Sequence, residues 1–346
     1  MTTNVPTRAS GPARPEASAL RIAIYPETAK VGLRLETLRA FATALAHTPH
    51  QVDWVEDKTY SPCDVAILYG APGIGEGRRR QIRQKILNEH KGPVLIVETP
   101  LFGRKVPAIA AAAGGLLKGG LPHFLAKAPA ESFGHFRISI GGSFHDTGQF
   151  CNEPTDPLRW DRLAAELGLT VKPWRATGEH ILLIGQVPGD ASLRGLDVVK
   201  WLESTVIDLR LITRRPILIR PHPLSPPAAL RSLKRRLKPD KSVRWDMKPG
   251  TPLRSSLSAA WATVTYSSSA AIDSLISGVP VIALSPASLA WPVSDHGISD
   301  VLEPTLYDRK PWLDRLAHSQ WSIEEIENGT VWRRFAGKIG ELVAGR

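Results

Sequence analysis

Cysteine is scarce: Cys63 and Cys151 are the only two in 346 residues. Two thiols cannot build a disulfide framework or a cysteine-only zinc site, and such usage fits a reducing compartment. No apolar run approaches the ~18–20 residues that a membrane-spanning helix needs, so no transmembrane segment is expected. The opening stretch, MTTNVPTRASGPARPEASAL, lacks the apolar centre of a signal peptide. It reads as a flexible tail over residues 1–19. Also absent are a GxxxxGK[ST] phosphate loop, a GxGxxG after a strand, an HExxH helix, paired CxxC motifs and a GxSxG elbow. Together these absences weigh against kinases, ATPases, dehydrogenases, zinc hydrolases and α/β-hydrolases.

Acidic residues are the scarcer charge, 33 Asp+Glu against 44 Lys+Arg, leaving a net charge of +11. That excess suits a nucleic acid, an anionic membrane surface or phosphorylated ligands, and equally a plain solvated surface. With 42% hydrophobic residues the chain can bury a substantial core, and its length fits two domains. The expectation is a soluble, basic, cytoplasmic protein (host cytoplasm if the source is viral).

Short apolar runs alternate with helical patterns, which predicts an α/β fold with parallel sheets covered on both faces. Strands are expected at 20–25, 64–69 and 93–97, with helices over 31–46 and 76–89. The second helix is strongly basic, carrying Arg78, Arg79, Arg80, Arg83 and Lys85. The stretch 103–178, with its small-residue segment 108–120 and a strand at 136–140, reads as loop-rich. Alternation resumes with strands at 180–184, 216–220, 262–266 and 279–284. Helices are expected over 194–211, 227–237 and 269–277, followed by a helical tail over 311–344. The predicted organisation is a tail (1–19), an acceptor-side domain (20–175), a ligand-binding domain (176–310) and C-terminal helices (311–346), with a cleft between two α/β halves.

Ligands of open parallel sheets collect at the carboxyl ends of strands. Four segments fall there. Gly185-Gln-Val-Pro-Gly-Asp190, with Ser192, offers close backbone approach and the polar groups of Gln186 and Asp190, or alternatively a capped loop. Arg220-Pro-His-Pro223 fixes the backbone around His222, an imidazole able to meet a phosphate or shuttle a proton. Tyr266-Ser-Ser-Ser-Ala270 places Ser267, Ser268 and Ser269 at a helix start, more hydroxyls than one cap requires, and Asp273 follows on the same helix. Glu98 ends an apolar strand and is placed to act as a general base, or to pair with Arg104. Asp146, behind Gly141-Gly-Ser-Phe-His145, is a second candidate base.

The order Gly-Gln-Val-x-Gly-Asp-Ala-Ser, then Arg-Pro-His-Pro, then Ser-Ser-Ser-x-x-x-Asp-x-Leu-x-x-Gly-x-Pro-Val resembles the capsule-polysaccharide-type glycosyltransferases, Kdo transferases among them, over about residues 179–304. Bacterial sialyltransferases are a remoter likeness. The resemblance implies a GT-B architecture of two facing Rossmann-like domains, with a nucleotide-sugar donor held mainly by the second. It implies that His222, Ser267, Ser268 and Ser269 bind the donor, with Gln186, Asp190, Arg220 and Asp273 beside them. No divalent-metal cluster stands out in the sequence. The implied transfer is therefore metal-independent, with the nucleotide-sugar as co-substrate and no further cofactor.

Two acceptors fit such a donor site. One is a hydroxymethylated base in DNA, since bacteriophage DNA-modifying glycosyltransferases share a similar two-domain layout. The other is a surface polysaccharide or glycolipid. Arg78, Arg79 and Arg80 in the first half, with Arg235 and Arg236 in the basic run 231–248, are candidates to clamp a polyanion across the cleft, and the same charge suits an anionic bilayer surface. DNA is favoured because no amphipathic membrane helix with large exposed aromatics stands out. Trp160, Trp174 and the Phe144-His145 pair are candidates to stack on a flipped base. A non-catalytic nucleic-acid-binding protein that keeps a degenerate transferase fold is the third reading.

Overall fold

A computed structural model describes residues 19–29, 32–71, 77–102, 134–222, 225–248 and 251–346. Most of the expected tail, the segment 108–120, Arg104 and Pro223 lie outside the described residues.

The described chain runs as β1 (Arg21–Tyr25), α1 (Leu33–Leu45), β2 (Gln51–Trp54), β3 (Val65–Tyr69), α2 (Arg78–Glu89), β4 (Val94–Glu98) and β5 (His135–Ile140). After α3 (Pro157–Leu167) come β6 (His180–Ile184), α4 (Val198–Ile212), β7 (Ile217–Arg220), α5 (Pro227–Leu237) and β8 (Val243–Trp245). The remainder is α6 (Leu253–Leu257), β9 (Ala260–Thr265), α7 (Ala270–Ile276), β10 (Val281–Ala283), α8 (Lys310–Ala317), β11 (Gln320–Ser322), α9 (Ile323–Glu327) and α10 (Thr330–Ala344).

Two sheets result. The first has the order β11-β5-β4-β3-β1-β2, parallel from β4 to β2 and antiparallel where β5 joins β4 and β11 joins β5. The second, β10-β9-β6-β7-β8, is parallel throughout. Every side chain of β3 is buried, as expected for a strand covered on both faces. The expected central strands are all present. The sequence pattern missed β2, β8 and β11, and it missed α3, which lies within the stretch read as loop-rich. The expected helical tail is broken by β11.

The chain does not finish where its second half ends. Trp321, Ile326, Val331, Trp332, Phe335 and Ile339 pack into the core of the first sheet with Leu38, Phe41 and Phe136. Meanwhile α3 packs with α7, α8 and Phe102 in a second core. The two passages between lobes are tied at one junction. Arg159 of α3 forks onto Glu325 (2.5 and 3.1 Å), donates to the Ala317 and Gln320 carbonyls, and lies 4.1 Å over the Trp321 ring. The Asp156 N–H donates to His318 Nε2 at 2.8 Å, and Gln320 Oε1 accepts the N–H groups of Leu101 and Phe102. Gln320 is fully buried, so these backbone bonds are shielded from water.

Candidate active site

The carboxyl ends of β3 and β4 face those of β6, β7 and β9 across one cavity of about 740 Å³. From the first lobe it is lined by Tyr69 and Gly70, by Glu98 and Thr99, and by the arginines Arg34, Arg78, Arg79, Arg80, Arg83 and Arg137. From the second it is lined by Gln186, Asp190, Ser192, His222 and the three serines Ser267, Ser268 and Ser269. Glu98, Gln186, Asp190, His222 and the three serines therefore share one hollow.

On the second-lobe side, most polar groups are occupied by one another. Gln186 Nε2 donates to Ser192 Oγ (3.0 Å) and Ser267 Oγ (3.1 Å), while its Oε1 accepts the Ser267 N–H at 2.9 Å. Asp190 accepts from both the N–H and the hydroxyl of Ser192, at 2.9 and 2.7 Å. This buried network ties the loop after β6 to the loop after β9 and fixes the serine turn. Gln186, Asp190 and Ser267 thus hold the wall together from within it. Ser268 accepts the Ala270 N–H at 3.3 Å, a local bond at the turn that leads into the helix. The helix behind them, α7, has only seven residues, and a dipole of that length contributes little.

Three of the residues predicted for catalysis or donor binding fall outside the cavity lining. The Arg220 guanidinium is held by Asp246, by Ser256 Oγ (2.7 Å) and by the Thr251 carbonyl (2.6 Å). It fastens the strand end that carries Pro221 and His222. Asp146 accepts Arg194 with both oxygens, at 2.7 and 2.6 Å. Its carboxylate is engaged in an ion pair between the loop after β5 and the loop after β6, and it is not part of the cavity lining. Asp273 points outward, exposed, from α7. In each case a distant partner or the helix phase, neither readable locally, sets the position.

Glu98 stands at the cavity with both oxygens engaged. Oε1 accepts the Ala71 N–H at 2.6 Å and Oε2 accepts the Thr99 N–H at 3.1 Å. The register of β4 against β5 sets Arg137 opposite Glu98. Arg83 donates to the carbonyls of Tyr69 (3.2 Å) and Thr28 (3.3 Å). Burial pushes its guanidinium below the usual range, and the negative charge of Glu98 opposes that shift. Gly70 makes this packing feasible: its φ is +91°, and an added Cβ would lie 2.8 Å from the Arg83 guanidinium. Arg79 donates to the Ala29 carbonyl at 2.9 Å, and Arg78 sits 3.7 Å from Glu27.

Sequence reasoning did not single out Arg34 or Arg137. Arg34 lies 5.3 Å over the Tyr69 ring, and no carboxylate pairs with it among the described residues. For Arg137 a signal existed: a charge inside the apolar strand Phe136-Arg-Ile-Ser-Ile140, only 8% exposed in the structure. Two expected roles fade. Arg235 and Arg236 do not line the cavity, and Arg236 is paired with Glu203 at 2.5 Å. Trp160 is 4% exposed within the second core, and Arg309 covers Trp174 at 3.9 Å. Among the described residues, no three His, Cys, Asp or Glu side chains group to hold a metal ion.

No protein-family model matches the chain, and no curated protein does. Solved structures do. The beta Kdo 2,4 transferase of Thermosulfurimonas dismutans KpsC is 17% identical, with 90% of this chain and 98% of that one aligned at a TM-score of 0.51. The fold is GT-B-like. The beta Kdo 2,7 transferase of the same KpsC aligns over 92% of this chain and 99% of its own, 13% identical, at a TM-score of 0.50. A fainter likeness, at a TM-score of 0.38 and 11% identity over 92% of this chain and 99% of that one, is to a UDP-GlcNAc 2-epimerase from Methanocaldococcus jannaschii in complex with UDP-GlcNAc and UDP. The GT-B-like arrangement explains why the chemistry-bearing residues gather between the lobes: both sheets turn their carboxyl edges towards the same space. No helix among the described residues is long and apolar enough to cross a membrane.

Proposed function

We propose that this chain is a nucleotide-sugar-dependent glycosyltransferase, with the donor against the second lobe and an anionic acceptor against the first. The observation that carries the reading is the single cavity joining His222, Ser268 and Ser269 on one side to Glu98 and the arginine wall on the other. In this scheme the acceptor hydroxyl gives its proton to the Glu98 carboxylate as its oxygen attacks the anomeric carbon. The bond from that carbon to the phosphate oxygen breaks, and the nucleotide leaves with the electron pair. His222 and the serine hydroxyls meet the charge that builds on the departing phosphate. The Gln186–Ser192–Ser267 network keeps those groups in place and excludes water from the turn.

Six arginines line the first-lobe side, against the Glu98 carboxylate there. A wall of guanidiniums selects an acceptor with a carboxylate or phosphate near the hydroxyl that reacts. An acidic surface polysaccharide or glycolipid meets that requirement. The alternative acceptor, a hydroxymethylated base in DNA, is the less favoured of the two. Arg235 and Arg236 do not line the cavity with Arg78 to Arg80, and of the stacking candidates Phe144 lines it while Trp160 and Trp174 do not.

The test is incubation of the purified protein with a panel of nucleotide-sugars and four acceptors: an acidic oligosaccharide, a lipid-linked glycan, hydroxymethylated DNA and unmodified DNA, read by mass spectrometry. Sugar transferred to the acidic glycan supports the proposal. Transfer to hydroxymethylated DNA alone replaces the acceptor, and DNA binding without consumption of any donor returns the protein to the non-catalytic class.

A further inference from the structure

The second cluster of basic residues, set aside by the active site, forms a surface of its own. The connections β6–α4–β7 and β7–α5–β8 link parallel neighbours, so right-handed crossovers set α4 and α5 side by side on one face of the second sheet. The contacts agree: Glu203 of α4 pairs with Arg236 of α5 at 2.5 Å, and Arg210 pairs with Asp240 at 2.7 Å. Between α5 and the edge strand β8 lies a cleft of about 680 Å³. Leu237, Val243 and Trp245 line its apolar part, and Arg231, Lys234, Arg235, Lys238 and Lys241 rim it. No carboxylate pairs with any of these five cations among the described residues. The one acid in the lining, Asp240, is taken by Arg210.

The neighbouring helix adds an unusual feature. Glu203, Ile207, Arg210 and Leu211 share one stripe of α4, and its two charged members reach α5 and the loop after it. Ile207 is 54% exposed and Leu211 80% exposed, so two large aliphatic side chains project beside the basic cleft. Asp208 is the exposed acid of that helix. Phosphate backbones of nucleic acids are satisfied by cations but gain nothing from exposed isoleucine and leucine. A bilayer surface takes both: headgroup phosphates meet Lys and Arg, while aliphatic side chains enter the acyl boundary. Long Lys and Arg stems flanking an apolar trench match that boundary as well.

We infer that the α4–α5 face of the second lobe docks on an anionic phospholipid bilayer. The later turns of α4 and α5, which carry these groups, lie at the amino ends of the strands. The cavity lies at the carboxyl ends, so a docked protein keeps its cleft open.

Vesicle flotation at low salt tests this with the full-length protein. Vesicles of phosphatidylcholine mixed with phosphatidylglycerol should retain it, vesicles of phosphatidylcholine alone should not, and retention should fall as salt rises. The double variant Arg235→Gln/Lys238→Gln should lose about fivefold in partitioning per cation removed. Leu211→Ser, which leaves every charge in place, should lose roughly tenfold. Both sites are exposed, and unchanged melting curves will show that the variants fold. Equal retention on both vesicle types, none on either, or retention insensitive to these substitutions overturns the inference. So does duplex DNA binding that depends on Arg235 and Lys238 while Leu211→Ser changes nothing, which would make the face a nucleic-acid surface.

Discussion

Arg78 to Arg83 and Arg231 to Lys241 are two basic stretches of similar composition, each centred on a helix that crosses between parallel strands. One faces the cavity and the other faces away from it. The difference lies in where the charges fall along the helix. A crossover helix begins at the carboxyl ends of its strands and finishes at their amino ends, and ligands gather at the former. In α2 the arginines occupy the first two turns, so they arrive at the cavity. In α5 the first turn is Pro227-Ala-Ala-Leu230, and the cations fill the later turns and the loop beyond. Charge counted per segment conceals this. Charge counted per helix turn reveals it.

The largest expected effect falls at the cavity. Glu98→Gln should lower turnover by about 10²–10⁴-fold, the range of a lost general base, while titration with the nucleotide-sugar shows unchanged donor affinity. Equal loss of donor binding would recast Glu98 as a clip for the loops at Ala71 and Thr99. Next is Arg34→Gln. Its side chain stacks on Tyr69 and holds no backbone, so folding should be intact. kcat/KM for an acidic acceptor should drop about 10–100-fold, as for a lost charge-assisted hydrogen bond of ~1.5–3 kcal/mol. A neutral acceptor should be indifferent to the change. Gln186→Ala should then cost about 1–3 kcal/mol in denaturant unfolding, because Ser267 and Ser192 lose a buried partner. At the bottom of the scale, Arg236→Gln removes an exposed pair worth ~0–1 kcal/mol and should leave turnover unchanged. If Arg236→Gln reduced kcat/KM as strongly as Arg34→Gln, the contrast between the two clusters would fail.

The central strands were legible because both their faces are buried, which writes them as unbroken apolar runs. β2, β8 and β11 are short and sit at or near sheet edges, and β2 and β8 are half exposed, so they carry no such run. α3 was legible in principle: Asp156 caps it, Pro157 opens it and Gly168 closes it in the left-handed conformation. Those signals were outweighed by the irregular sequence around them. At the site, Glu98, His222 and the serines could be found because strand ends are marked by composition. Arg220 and Asp146 were misplaced because their partners, Asp246 and Arg194, are 26 and 48 residues away. Arg34 escaped notice since nothing local distinguishes a helix arginine that leans over an aromatic ring from one that faces solvent.

The return of α9 and α10 to the first sheet has a consequence for synthesis. During translation the first lobe waits, short of β11 at its margin and of Trp332 and Phe335 in its interior, until the segment that follows the second lobe has left the ribosome. The second lobe, encoded in the middle, has all five of its strands before then. This protein therefore completes its middle before its beginning, and its nascent first sheet must stay shielded for longer than its position in the sequence implies.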